Sequence, residues 1–177
     1  MTILNPVFFD RPADQVAHDL IGCSLNWTHG DDFHSRMITE TEAYIGPHDL
    51  ASHAARGRTK RTEVMFGEPG TLYLYFVYGM HWMLNVVTGP AGYPAAVLIR
   101  AVQDINGPAR LTKAMALTGS LNGKQADEEN GVWFTDDTRP PRTKAIRSAR
   151  IGVDYAGKWK DKPLRFLVRG NEFISRP

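Results

Sequence analysis

The stretch P-G-T-L-Y-L-Y-F-V-Y-G-M (Pro69–Met80), followed by Met83–Thr88 and Ala95–Val102, decides the fold class of this chain. Thr71–Tyr78 and Met83–Thr88 read as two strands joined tightly through Gly79, and Ala95–Val102 reads as a buried third. Towards the N-terminus, Gly46–Gly70 is rich in Gly, Arg and His and is longer than an ordinary loop. Such length points to a functional segment or to short helices hidden within it. Phe33–Tyr44 reads as a long strand, His29–Asp32 as a turn and Cys23–Thr28 as another strand. Asp10–Gly22 reads as a helix: Asp10 can cap it, Pro12 suits its first turn, Val16, Leu20 and Ile21 recur on one side, and Gly22 can end it. Towards the C-terminus come a short helix (Pro108–Leu117), a polar, mobile stretch (Leu121–Asn130) and two late strands (Gly131–Phe134 and Leu164–Arg169). Several strands precede the second helix and no βαβα rhythm appears. The expected fold is therefore α+β: one compact domain over residues 1–177, with a curved, mostly antiparallel sheet and a few flanking helices.

Composition narrows the function. With 177 residues and 42% hydrophobic side chains, the chain can bury a real core. The lone Cys23 excludes an internal disulfide and, with no CxxC, a cysteine-rich zinc site. Met1–Asp10 lacks a basic segment followed by an apolar one, and no apolar run reaches membrane-spanning length. A cytoplasmic protein is expected. The net charge is only +2, but it is unevenly spread. Residues 1–50 hold two basic and eight acidic side chains, whereas residues 139–169 hold ten Lys/Arg against two acids. Arg56, Arg58, Lys60 and Arg61 form a second basic knot. Basic clusters on a nearly neutral chain suggest a polyanion-binding face; the plain alternative is a solvated surface.

Charge inside strands is the sharper signal. Arg100 interrupts an otherwise apolar run, and a guanidinium there needs a carboxylate, for which Glu42 or Glu40 is the candidate. If Phe33–Tyr44 is regular, Ile38, Glu40, Glu42 and Tyr44 share one face. The pair is either structural or catalytic; in the second case Glu42 is a general base that Arg100 holds charged beside a water. Tyr73, Phe76 and Trp82 are assigned to the core. Tyrosines in a pocket can stack a base or attract a cationic ring, and Tyr78, beside Gly79 at a strand end, can project as a wedge into a duplex. His48, Asp49 and His53 invite a metal reading, but H-D-x-x-x-H is not the H-E-x-x-H spacing and no third ligand stands out. A hydrogen-bonding or stacking role for His53 is the stronger reading. No nucleophile elbow, phosphate loop or dinucleotide fingerprint occurs. Hydrolysis by an activated water, without a cofactor, is what remains.

The residues then match a family. E-T-E-A-Y-I-G-P, A-S-H, R-T-K-R-T-E-V-M-F, P-G-T-L-Y-L-Y-F-V-Y-G-M, Leu84–Asn85, V-L-I-R-A, G-P-A-R-L-T-K-A, R-I-G-V and K-P-L-R-F-L-V-R-G stand in the order found in the alkyladenine (3-methyladenine) DNA glycosylases. The chain resembles that family from about residue 8 to its C-terminus. The resemblance implies hydrolysis of the N-glycosidic bond of a damaged purine in double-stranded DNA, after the base is swung out of the stack. It implies Glu42 as the residue that activates the water, with Arg100 and the backbone of Ile151 completing the water's cradle. Tyr44 on one side, and His53 with Tyr75 on the other, resemble the walls around the base. Asn85 resembles the residue that disfavours normal guanine, and Tyr78 the DNA wedge. No metal or cofactor is implied, no lysine stands as an imine-forming nucleophile, and a monomer without lyase activity is expected. The family's fold resembles the C-terminal domain of methionyl-tRNA formyltransferase, so a non-catalytic nucleic-acid-binding module is the alternative. A metal-dependent hydrolase built on His48, Asp49 and His53 is the third reading. One departure is local: only Val102–Asn106 joins the V-L-I-R-A strand to the G-P-A-R-L helix, where the family has a longer connection.

Overall fold

The structure, a computed structural model, describes residues 2–136 and 145–175. Three members of the late basic run, Arg139, Arg142 and Lys144, lie outside the described residues. The described elements, in chain order, are β1 (Thr2–Ile3), α1 (Pro6–Phe9), α2 (Ala13–Leu20), β2 (Ser24–His29), β3 (Asp32–Tyr44), β4 (Leu72–Val77), β5 (His81–Thr88), β6 (Ala95–Val102), β7 (Ile105–Asn106), α3 (Pro108–Ala114), β8 (Val132–Asp136), β9 (Ala145–Ser148) and β10 (Arg165–Val168). Short 3-10 turns cover His53–Arg56, Glu63–Phe66, Gly119–Leu121 and Asp154–Trp159.

The strands form one antiparallel sheet with the order β1-β8-β2-β3-β6-β5-β4. The long strand β3 is its spine. Its first half pairs with β2, its second half with β6, and β10 joins it at Glu40–Glu42. The α+β class expected from the sequence is the class observed. Among the described residues, no helix is long and apolar enough to cross a membrane.

The central strands are buried on both faces, which is why β6 reads as a continuous apolar run. Side chains alternate along each strand. On one face, Leu72, Leu74, Leu84, Val86, Val97 and Ile99 meet α2 in the main core. On the other, Tyr73, Tyr75, Asn85, Leu98 and Arg100 line a cavity. Helix α2 presents Ala13, Val16, Ala17 and Leu20 as one buried stripe at helical spacing. Burying Leu20 alone stabilises the fold by about 2 kcal/mol.

Several elements depart from expectation. The helix expected from Asp10 is α2 and begins at Ala13, after Pro12, because Asp10 ends the separate short helix α1, its backbone N–H donating to the Pro6 carbonyl. Ile38 does not share a face with Glu40 and Glu42. The β3–β6 register shifts between Ile38, Glu40 and Thr41, and this irregularity reverses the alternation. Ile38 and Ala43 consequently lie in the core while the Thr41 hydroxyl donates to the Ala17 carbonyl of α2. Segment 121–130 is tied to the start of β4: Leu72 N–H donates to Lys124, Gly123 N–H to Leu72, and Thr71 bridges Gln125. A polar composition hid these backbone bonds.

Candidate active site

Three elements meet at one carboxylate. The register shift turns Glu40 and Glu42 of β3 away from the core, and β6 brings Arg100 alongside them. Glu42 has no exposed surface. Its Oε1 accepts the Ile151 N–H at 2.8 Å and lies 3.3 Å from Arg100 Nη1. Its Oε2 accepts the Tyr44 hydroxyl at 2.9 Å. All three partners line the cavity, whereas Glu42 sits immediately behind its wall. Burial works against the Arg100 charge, but Glu42 and Glu40 outweigh it and hold the guanidinium pKa above the ordinary arginine value. Arg100 Nε donates to Glu40 Oε1 at 3.0 Å, so both carboxylates named from the sequence are its partners.

The cavity measures about 390 Å³ and has aromatic walls. Tyr44 is one of the residues that line it. His53 and Tyr75 pack edge-to-face with centroids 4.5 Å apart. Burial holds the Tyr44 hydroxyl pKa well above its usual range, reinforced by the Glu42 charge, and burial also raises that of Tyr75. Both hydroxyls are therefore neutral and keep their protons. His53 is pushed down to about 4 by burial and then by Arg61 and Arg56, so its ring is neutral at physiological pH. Its Nδ1 lies 3.1 Å from the Tyr73 hydroxyl. The side-chain amide of Asn85 donates to the Tyr73 and Met83 carbonyls at 3.1 and 3.3 Å, which fixes it against the cavity wall.

The β4–β5 hairpin carries Tyr78 at the cavity mouth. Tyr78 and Gly79 both have positive φ, 52° and 64°, as a type I′ turn requires. Glycine adopts this conformation freely; tyrosine adopts it at a cost of about 1 kcal/mol. The Tyr78 side chain is 89% exposed, an unusual state for an aromatic ring.

The long connection after β3 is secured at Gly46. Its φ is 134°, and a Cβ there would collide with the Tyr93 hydroxyl, which donates to the Ile45 carbonyl. Only glycine fits, and the chain then turns to present Ser52 and His53 to the cavity. Asp49 has a different task from metal ligation: its two oxygens accept Arg150 Nη1 and Nη2 at 2.6 and 2.9 Å. Among the described residues no group of three or more His, Cys, Asp or Glu could hold a metal ion.

Sequence reasoning missed Arg150 and Arg165. Both belong to the late basic run, whose charge suggests either a polyanion-binding face or a solvated surface, yet both are buried. Arg150 is pinned to Asp49, donates to the Ala43 carbonyl and lies 4.9 Å from the Tyr44 ring centroid. Arg165 Nη1 donates to Glu40 Oε1 at 3.0 Å. Position in a basic run and burial are independent properties; the R-I-G-V and P-L-R-F settings, each with apolar residues beside the arginine, were the available signals. Phe76, assigned to the core, is instead 46% exposed and packs on Trp82 at 4.8 Å. It follows Tyr75 on the opposite face of the hairpin.

Comparison with known proteins places the chain in a family. The chain matches the methylpurine-DNA glycosylase family over residues 7–106 and 103–172, and the seam between the two stretches falls in the short connection after β6. A protein of Myxococcus xanthus is 44% identical over 99% of this chain and 95% of its own length. One from Legionella pneumophila is 40% identical over 98% of both chains, and one from Methanocella arvoryzae is 39% identical over 99% of this chain and 97% of its own. All three carry 3-methyladenine DNA glycosylase as a provisional name. Identity at this level along the whole chain, and a family match covering both halves of the cavity, mean that the chain belongs to the methylpurine-DNA glycosylase family.

Proposed function

We propose that this protein is a monofunctional DNA glycosylase that receives a damaged purine, swung out of duplex DNA, and hydrolyses its N-glycosidic bond. The observation that carries the reading is the buried Glu42 carboxylate, held by Tyr44, Arg100 and Ile151 immediately behind an aromatic-walled cavity. A duplex hides the sugar carbon that must react, so the nucleotide has to leave the stack. The exposed Tyr78 fills the gap it leaves, and the ring of Tyr44 faces His53 and Tyr75 across the base. Asn85, immobilised by its two backbone bonds, narrows the cavity against the exocyclic amino group of normal guanine.

The chemistry follows from the carboxylate. Glu42 accepts a proton from water as the water oxygen bonds to the sugar C1′. The bond from C1′ to the purine nitrogen breaks, and the base leaves with the electron pair. A base already bearing positive charge from alkylation leaves neutral, and the aromatic walls favour such a ring. The hydroxyl of Tyr44 donates to Oε2, so stacking of the base against Tyr44 has to turn that hydroxyl aside before the water can use the oxygen. The whole of residues 1–177 works as one unit, as a monomer on damaged double-stranded DNA, and needs no metal.

The test is base release from duplexes carrying methylated purines, ethenoadenine or hypoxanthine, in the presence of chelator, with abasic sites revealed by hot alkali. Release of an intact base without strand cleavage before alkali supports a monofunctional glycosylase. Tight lesion binding with no release of any of these bases overturns it in favour of a binding module, and release abolished by chelator overturns the metal-free mechanism.

A further inference from the structure

We propose that Glu40 is a positioning residue for base release, one that keeps Arg100 from closing with both prongs on Glu42. The inference rests on the reading of Glu42 as the general base. Glu40 is wholly buried and is far from idle. Its Oε1 accepts Arg100 Nε and Arg165 Nη1, each at 3.0 Å, and its Oε2 accepts the backbone N–H of Ser175. Arg165 is itself fixed by the Ala149 carbonyl at 2.8 Å and by Ser148 Oγ at 3.1 Å. The adjoining Thr39 hydroxyl holds the same C-terminal segment through the Phe173 carbonyl.

The cluster contains two carboxylates and two guanidiniums, so its charges balance. Their distribution is unequal. An arginine left alone with a carboxylate prefers two parallel hydrogen bonds. Here Nε donates to Glu40 at 3.0 Å, and the approach of Arg100 to Glu42, through Nη1, is longer at 3.3 Å. A carboxylate clamped by a full two-pronged pair is a poorer proton acceptor than one held by a single looser contact. Glu40 therefore fixes the orientation of Arg100 and leaves Glu42 free to take a proton from water. Arg165 supplies the second positive charge, without which two adjacent buried carboxylates would repel. The register shift in β3 makes the arrangement possible, because it places Glu40 and Glu42 on the same side of the sheet.

The experiment compares wild type, Glu40→Gln, Glu42→Gln and the double variant Glu40→Gln/Arg165→Met in single-turnover base release. It also records lesion-duplex affinity and thermal stability. Glu40→Gln is expected to slow the rate constant by about 10- to 100-fold, the size expected when a reacting group is misplaced by about an ångström, with lesion affinity retained. The double variant removes one charge of each sign. It is expected to regain stability while its rate constant stays low, because the glutamine oxygen holds Arg100 Nε only by a neutral, weaker hydrogen bond. A purely structural Glu40 would lower the active fraction rather than the rate constant, and the double variant would recover rate together with stability; either result overturns the proposal. Should Glu40→Gln fail to fold, the double variant carries the same test. Wild-type release by Glu42→Gln would sink the general-base reading itself, whereas an inactive Glu42→Gln beside an unimpaired Glu40→Gln would sink only the role of Glu40.

Discussion

Replacing Glu42 with glutamine removes a negative charge and a proton acceptor while keeping nearly the same shape. The glutamine oxygen can still accept the Ile151 N–H, now at 2.8 Å, and its amide nitrogen can donate to the Tyr44 hydroxyl, which is able to reverse its role. Arg100 loses one charged partner but retains Glu40. Breaking a buried ion pair outright costs about 3–5 kcal/mol; with Glu40 still in place the expected loss of stability is about 1–2 kcal/mol. The kinetic loss is much larger. General-base assistance contributes about 10²- to 10⁴-fold, equivalent to about 3–5 kcal/mol of barrier. Single-turnover release from a duplex with one lesion, alongside lesion-duplex affinity from titration, separates the two effects. The expected outcome is a rate constant lower by at least about a hundredfold with affinity within a few-fold of wild type. A Glu42→Gln protein releasing base within about tenfold of the wild-type rate would refute the assignment, because no general base of ordinary strength is worth so little.

Further expectations concern the wedge, the buried ion pair and the histidine. Tyr78→Ala should weaken lesion-duplex binding at least several-fold without lowering the melting temperature, since the side chain is 89% exposed; unchanged affinity would reject the wedge role. Asp49→Asn should destabilise the protein by about 3–5 kcal/mol in denaturant titration, because it strands the fully buried Arg150 charge. Replacing both Asp49 and Arg150 with apolar residues of similar size should recover much of that loss, and a loss equal to that of Asp49→Asn would contradict the charge argument. His53, held at about 4 in the folded chain against 6.5 in the free side chain, binds fewer protons folded than unfolded between those values. Its contribution is therefore complete above pH 6.5 and fades as the pH falls towards 4. For a ring only partly buried, screening reduces this to on the order of 1 kcal/mol. His53→Asn should flatten stability between pH 7 and pH 5 relative to wild type, and an identical pH dependence in both proteins would remove burial of this ring as the cause.

Much of the candidate site was legible because polar groups in apolar strands are costly and demand partners. Arg100 within Ala95–Val102 announced a buried carboxylate, and the structure supplies two. The exposure of Tyr78 followed from its place beside Gly79, since a tight turn projects its side chains outward. Two members of the basic run at residues 139–169 could not be placed from the sequence: lysine and arginine are exposed by default, and nothing in a one-dimensional charge count reveals that Arg150 and Arg165 each meet an acid more than a hundred residues away.

The sequence by itself determined the class of fold, the identity of most strands and the family, because strand patterning is local and the family motifs stand in order along nearly the whole chain. It also determined that a carboxylate must answer Arg100. Only the tertiary structure decided how the carboxylates divide that answer. The irregular pairing at Glu40 is a property of two strands meeting, invisible in either alone, and it decides which residues of β3 face the core and which face the cavity. The same holds for Asp49 with Arg150 and for the Ile151 N–H on Glu42, contacts between residues 101 and 109 positions apart. Hydrogen bonds act over about three ångströms, so their partners are set by how the chain folds back on itself rather than by spacing along it.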